Sequence, residues 1–199
     1  MPRHFVLAAV VLLIAIPLAA LAPAAPVPKD ANKPKLYHPV TKGAKWVYVC
    51  SGEDAREFEH ALEVTAVEDG KDGAKLVTVT AGEQIKTIYT LSVSEKGLCL
   101  LRTDGTDLDK PFWHLKLPHT DGQVWKLVAA AAGETRMSKF AAYGPERVEV
   151  PAGVFQAIRV ESFFDEQLAA TTWFAEDIGI TKAISQNIVM SLRSFTPGK

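Results

Sequence analysis

Phe58-Glu-His-Ala-Leu-Glu-Val-Thr-Ala-Val67 is the stretch on which the reading of the fold turns. Phe58, His60, Leu62, Val64 and Ala66 share one parity; Glu59, Ala61, Glu63 and Thr65 share the other, polar apart from Ala61. A period of two sends the first set to one face of a strand and the second to water, whereas a helical period of 3.6 would scatter both sets. Asp69-Gly-Lys-Asp-Gly73 follows, with two glycines able to take positive φ, and Leu76–Thr80 is placed to pair back as a hairpin.

The same pattern extends both ways. Trp46–Cys50 has little polarity on either face, which suits a central strand. Ala81-Gly82 turns into Ile85–Val93, and Ser94–Gly97 turns into Leu98–Arg102. Thr103–Lys110, with Asp104, Asp107 and Asp109, reads as a solvated loop; it lacks the ligand spacing and closing glutamate of a calcium loop. Further strands are expected at Trp125–Ala130, Met137–Tyr143, Arg147–Val150, Phe155–Phe164, Thr171–Ala175, Ile180–Ser185 and Ile188–Phe195. Gly144-Pro145 separates two of them, and Val150-Pro-Ala-Gly153 has hairpin chemistry. Val128–Ala132 is too short to hold a helix alone. The expectation is all-β: an antiparallel, strongly curved sheet, half-barrel or barrel, of about ten strands.

Residues 1–24 stand apart. Arg3 precedes the 12-residue apolar run Phe5–Ile16, Pro17 breaks it, and Ala22-Pro-Ala24 before Ala25 fits a small-x-small cleavage site. This is the order of a secretory signal peptide, so the chain is expected to be exported to the periplasm or beyond, with no stable membrane span after cleavage. Residues 25–35, with Pro26, Pro28 and Pro34, read as a disordered lead-in to one domain over 36–199. Losing Arg3 takes the formal net charge from −1 to −2, so no basic field is available for nucleic acid. Cys50 and Cys99 are the only cysteines; a disulfide and two separate buried thiols are both open readings.

Pro39, Gly43 and Trp46 recur as Pro118, Gly122 and Trp125, a Pro-x3-Gly-x2-Trp spacing that each time opens a strand-like run. Glu83-Gln-Ile85 parallels Glu166-Gln-Leu168, and Gly97 parallels Gly179, in the same order. Two related halves, about 36–103 and 111–197, are expected from this recurrence.

Chemistry is sparsely signalled. The motifs of serine hydrolases, zinc proteases, dithiol redox proteins and phosphate loops are all missing, and no cofactor is expected. His38 and His119 flank the recurrent prolines and could approach each other; His60 shares the apolar parity of its strand, and His114 has no assigned role. Glu161, Asp165 and Glu166 read as a solvated strand end. The aromatic residues carry the better functional signal. Trp46, Tyr48, Phe58, Tyr89, Trp125 and Trp173 lie on expected strands, either as core or as the lining of a cavity for an apolar ligand.

Val150-Pro-Ala-Gly-Val-Phe155, then Ala157-Ile-Arg-Val160 and Thr172-Trp-Phe-Ala175 before Ile178-Gly-Ile180, resembles a loose group of uncharacterised exported bacterial proteins. They share the Pro-x3-Gly-x2-Trp opening, and the resemblance spans about Tyr37–Phe195. It implies a sheet curled like that of periplasmic lipoprotein carriers, and no catalytic residues. Glu176-Asp177 departs from the group, standing where a Pro-Gly turn is usual. The function expected is a non-enzymatic envelope protein that binds a lipid, another apolar ligand or an envelope protein. A structural or assembly factor without a small-molecule site, or a hydrolase, are the alternatives.

Overall fold

The computed structural model describes residues 34–52, 56–82, 88–131 and 134–199. The expected signal peptide, most of the lead-in and the Glu83-Gln-Ile85 parallel lie outside these residues. Twelve strands follow in chain order: β1 (Lys45–Ser51), β2 (Glu57–Asp69), β3 (Lys75–Ala81), β4 (Ile88–Ser94), β5 (Gly97–Thr103) and β6 (Thr106–Lys116), then β7 (Gln123–Ala131), β8 (Glu134–Val150), β9 (Gly153–Phe164), β10 (Gln167–Ala175), β11 (Gly179–Ser185) and β12 (Ile188–Thr196). Among the described residues the one helical element is a 3₁₀ turn, Lys71–Gly73. The strands form a single antiparallel sheet in the order β6-β5-β4-β3-β2-β1-β12-β11-β10-β9-β8-β7. Every neighbouring pair is consecutive in sequence except β1 with β12, which joins two six-strand meanders.

The observed strands differ from the expected ones at two places. Thr103–Lys110 is a hairpin, not a loop: Asp104 and Gly105 take φ of 50° and 78°, and β6 starts at Thr106. The chain passes between the meanders at 117–122 instead. β6 is an edge strand, exposed over most of Thr106–Pro111, so polar residues cover both its faces there. Met137–Tyr143 and Arg147–Val150 are one strand, β8, whose register slips between Tyr143 and Glu146 at Gly144-Pro145. The Val128–Ala132 region lies in β7 as far as Ala131.

Turn chemistry follows the sequence. Asp72 and Gly73 adopt φ of 54° and 75° between β2 and β3. The Pro151-Ala152 turn joins β8 to β9, and Ala152 donates its N–H to the Leu192 carbonyl at 2.9 Å, tying this hairpin to β12. At the unusual Glu176-Asp177, Asp177 itself takes the left-handed conformation (φ 58°), and its N–H reaches the Leu36 carbonyl at 2.7 Å. A short polar side chain makes that conformation tolerable without glycine.

The inner face carries the core. Trp46, Tyr48 and Cys50 of β1 stand opposite Leu62, His60 and Phe58 of β2. Val64, Val77, Val79, Leu91 and Val93 extend the buried cluster through the first meander; Phe140, Ala142, Ile158, Val160 and Phe174 extend it through the second. The edges β6 and β7 approach each other across a seam held by side chains. Trp125 Nε1 donates to the Trp113 carbonyl at 3.1 Å, Lys110 Nζ to the Val128 carbonyl at 2.9 Å, and Phe112 packs edge-on against Phe140. The sheet is thus nearly closed.

The recurrent Pro-x3-Gly-x2-Trp segments have matching local geometry. Gly43 and Gly122 both have positive φ, 83° and 77°. Gly43 N–H donates to Val64 of β2 and Gly122 N–H to Ala142 of β8. Ala44 and Gln123 each close a turn onto Thr41 and Thr120. Trp46 and Trp125 then stand near the starts of β1 and β7.

Candidate functional site

The curled sheet lines a partly open cavity of about 300 Å³. Its walls are apolar: Leu62 of β2, Leu91 of β4, Leu98 and Leu100 of β5, with Phe174 of β10 and Ile180 of β11 closing it from the second meander. Trp46, Tyr48 and Tyr89 supply its aromatic surface. These strands present alternate residues inward, so one lumen collects side chains from seven strands.

Three of the six aromatic candidates line this cavity, and three do not. Phe58 lies on the inner face but is half-exposed, beyond Cys50, at the end of the sheet where Ser51 and Asp165-Glu166 lie. Trp125 stacks on Phe140 at 5.5 Å beside the β6–β7 seam. Trp173 points to the outer face, where its Nε1 donates to Glu146 Oε1 at 2.7 Å and Lys182 Nζ lies 5.4 Å from its ring. Arg159, which pairs with Glu146 and Glu161 and covers the Tyr143 ring, completes that outer network.

The polar atoms of the cavity belong to His38, His114, Thr103 and the two tyrosines. His38 reaches the lumen from the segment before β1. Its ring packs against Trp46 at 5.1 Å, and its Nδ1–H donates to the Pro39 carbonyl at 2.8 Å. That bond assigns the tautomer and leaves Nε2 with its lone pair. His114 arrives through a β-bulge. Leu98 pairs with Leu115 and Cys99 with Trp113, so His114 is the extra residue of β6. A bulge re-aims a side chain, and here it sends an imidazole into the lumen beside Phe112, 4.8 Å between ring centres.

Burial pulls the pKa of both imidazoles from 6.5 to about 4, and the two rings further disfavour each other's charge at His114. Both are therefore neutral at pH 7. Tyr48 donates its hydroxyl to the Ile180 carbonyl at 2.9 Å, and Trp46 Nε1 donates to the Ile178 carbonyl at 2.7 Å. Burial raises both phenols, Tyr48 and Tyr89, above their ordinary range. Among the described residues no lining side chain carries a formal charge at pH 7.

His119 does not join His38. Its Nε2 meets the Gly144 carbonyl at 2.9 Å, in a separate surface groove with Lys35, Tyr37 and Glu95. His38 meets His114 instead, a partner that the sequence did not single out. His60 is half-buried on the inner face of β2 opposite Tyr48. Glu161 and Glu166 are separated onto different cations, Arg159 and Lys139. Among the described residues no three His, Cys, Asp or Glu side chains converge to hold a metal ion. Of the two readings open for the cysteines, the structure has the separate thiols: Cys50 in β1 and Cys99 in β5 are both buried and free, with β2, β3 and β4 between them. Burial raises the pKa of both, Cys99 to about 11.

Fold and cavity together define a class: a single antiparallel sheet of two joined meanders, curled around an apolar lumen. No family model and no curated protein matches the sequence. Two solved structures share the fold. One is a candidate lipoprotein of Parabacteroides distasonis, 12% identical, with a TM-score of 0.52, covering 83% of this chain and 100% of that one. The other is a candidate exported protein with a YmcC-like fold from Bacteroides fragilis, 13% identical, with a TM-score of 0.52, covering 81% of this chain and 99% of that one.

Proposed function

We propose that this chain is an exported, non-enzymatic protein of the bacterial cell envelope that binds a small apolar molecule in the lumen of its sheet. The carrying observation is the cavity itself, about 300 Å³ with leucine, isoleucine and aromatic walls, at the lower end of ligand-pocket sizes. A well-packed core would leave no such space. Export is supported by the signal-peptide pattern of residues 1–24 and by the hairpin motif at Val150–Phe155. The two proteins of like fold, described as lipoprotein and exported protein, point the same way.

Native mass spectrometry of the protein purified from its own host tests the reading. A bound small molecule is expected, and Leu100→Trp, which fills part of the lumen, is expected to lose it. A protein that carries nothing and binds no apolar fluorescent probe would sink the proposal. It would favour an assembly factor that works by partner contact, a reading supported by the exposed inner-face side chains Phe58, Phe164 and Ile188 at one end of the sheet. The matching geometry around Gly43 and Gly122 also supports descent of the two meanders from one duplicated unit.

A further inference from the structure

We infer that the lumen selects an uncharged amphiphile whose polar end both donates and accepts a hydrogen bond, as an alcohol does, and that His38 and Tyr89 read that end. The inference rests on the binding reading above and names the chemistry of the ligand.

Charge is excluded first. Among the described residues the lining contains no Lys, Arg, Asp or Glu. A carboxylate or ammonium entering it would give up its hydration with no counter-ion to replace it, a large cost. The histidines do not supply a cation at pH 7, because burial holds both neutral.

Hydrogen-bonding character comes next. His38 spends its one N–H on Pro39, so Nε2 can only accept, and it has no partner among the described residues. It asks for a donor. Tyr89 lines the same lumen, and a phenol hydroxyl can donate. It asks for an acceptor. His114, with no hydrogen-bond partner among the described residues, adds a donor or an acceptor to suit. An ether or ester accepts without donating and leaves His38 unsatisfied. An alcohol carries both the donor that His38 asks for and the acceptor that Tyr89 asks for, and Leu91, Leu98, Leu100 and Phe174 offer apolar wall to its chain.

The test uses the purified protein at pH 7 and four probes of equal chain length: octan-1-ol, octanoate, octylamine and octyl methyl ether, each titrated by calorimetry. Octanol is expected to bind at least about tenfold more tightly than either ion. It should exceed the ether by about three- to tenfold. Tyr89→Phe, which deletes one oxygen, is expected to weaken octanol by about the same factor. His38→Phe should abolish the preference of octanol over the ether, and if that variant does not fold, Tyr89→Phe decides. Octanoate or octylamine binding as well as octanol, equal binding of alcohol and ether, or no effect of Tyr89→Phe would each overturn the inference while leaving an apolar-ligand carrier. Failure of all four probes would overturn the binding reading with it.

Discussion

Acidification should destabilise this protein through two residues. His38 is buried and His114 half-buried in the lumen, with pKa values lowered from 6.5 to about 4. In the unfolded chain each takes up a proton near pH 6.5; in the folded chain neither does until about pH 4. The unfolded state thus binds more protons across that window, and stability falls as pH falls through it. The contribution is fully present above about pH 6.5 and gone below about pH 4. At pH 5 each histidine is expected to cost about 2 kcal/mol relative to pH 7, with a slope approaching about 1.4 kcal/mol per pH unit per histidine. The pair together could remove up to about 4 kcal/mol from a domain whose whole stability is about 5–15 kcal/mol. Exposed carboxylates add their own acid sensitivity, but they cancel between wild type and variant. His114→Phe is the informative variant, because the His114 ring makes no hydrogen bond to lose among the described residues and already packs against Phe112. Urea unfolding at several pH values between 7 and 5 should show a loss at pH 5 smaller than that of the wild type by about 2 kcal/mol in this variant. Equal losses in the two proteins would refute the assignment of neutral, buried imidazoles.

Three further outcomes follow from the geometry. Gly97 has φ +124°, and a Cβ there would lie 2.0 Å from the Leu115 carbonyl oxygen; Gly122 has φ +77° and open space. Gly97→Ala should therefore cost more than about 3 kcal/mol in chemical denaturation, and Gly122→Ala only about 1 kcal/mol. Cys50 and Cys99 should resist iodoacetamide at pH 8 in the native protein and both react in urea, read by intact mass; fewer than two reactive thiols in urea would contradict the free pair. Trp125→Phe removes the indole bond across the seam to Trp113. It should lower stability by about 1–2 kcal/mol and speed amide exchange in β6 more than in β1.

How much of this was legible in the sequence depended on period and on edges. Where one face is buried, as in Phe58–Val67, alternation named the strand, and Gly73 and Gly153 marked turns that need positive φ. Thr106–Pro111 failed because an edge strand exposed on both faces has the composition of a loop. The candidate site was half legible. Trp46, Tyr48 and Tyr89 could be chosen as large aromatics on strands, but the choice among six depended on which face each strand turns inward. Trp173 was lost by one residue of parity to Phe174, which lines the lumen instead. His114 was harder still. A bulge breaks the alternation that would have oriented it, and only the pairing of β5 with β6 reveals the extra residue.

The single pairing of β1 with β12 has a consequence for how the chain reaches this structure. All other strand pairs join sequence neighbours through short connections, so each meander can form from local contacts. Joining Ser51 to Val189 instead closes most of the chain, at a loop-entropy cost of about 4 kcal/mol. That step is the slow one in a topology otherwise built from near neighbours. A permuted chain, opened within 117–122 and linked from Lys199 back to residue 34, would turn β12–β1 into one more hairpin and the whole sheet into an uninterrupted meander. It should fold faster than the natural order at similar stability, and the lumen would be reached without a long-range search.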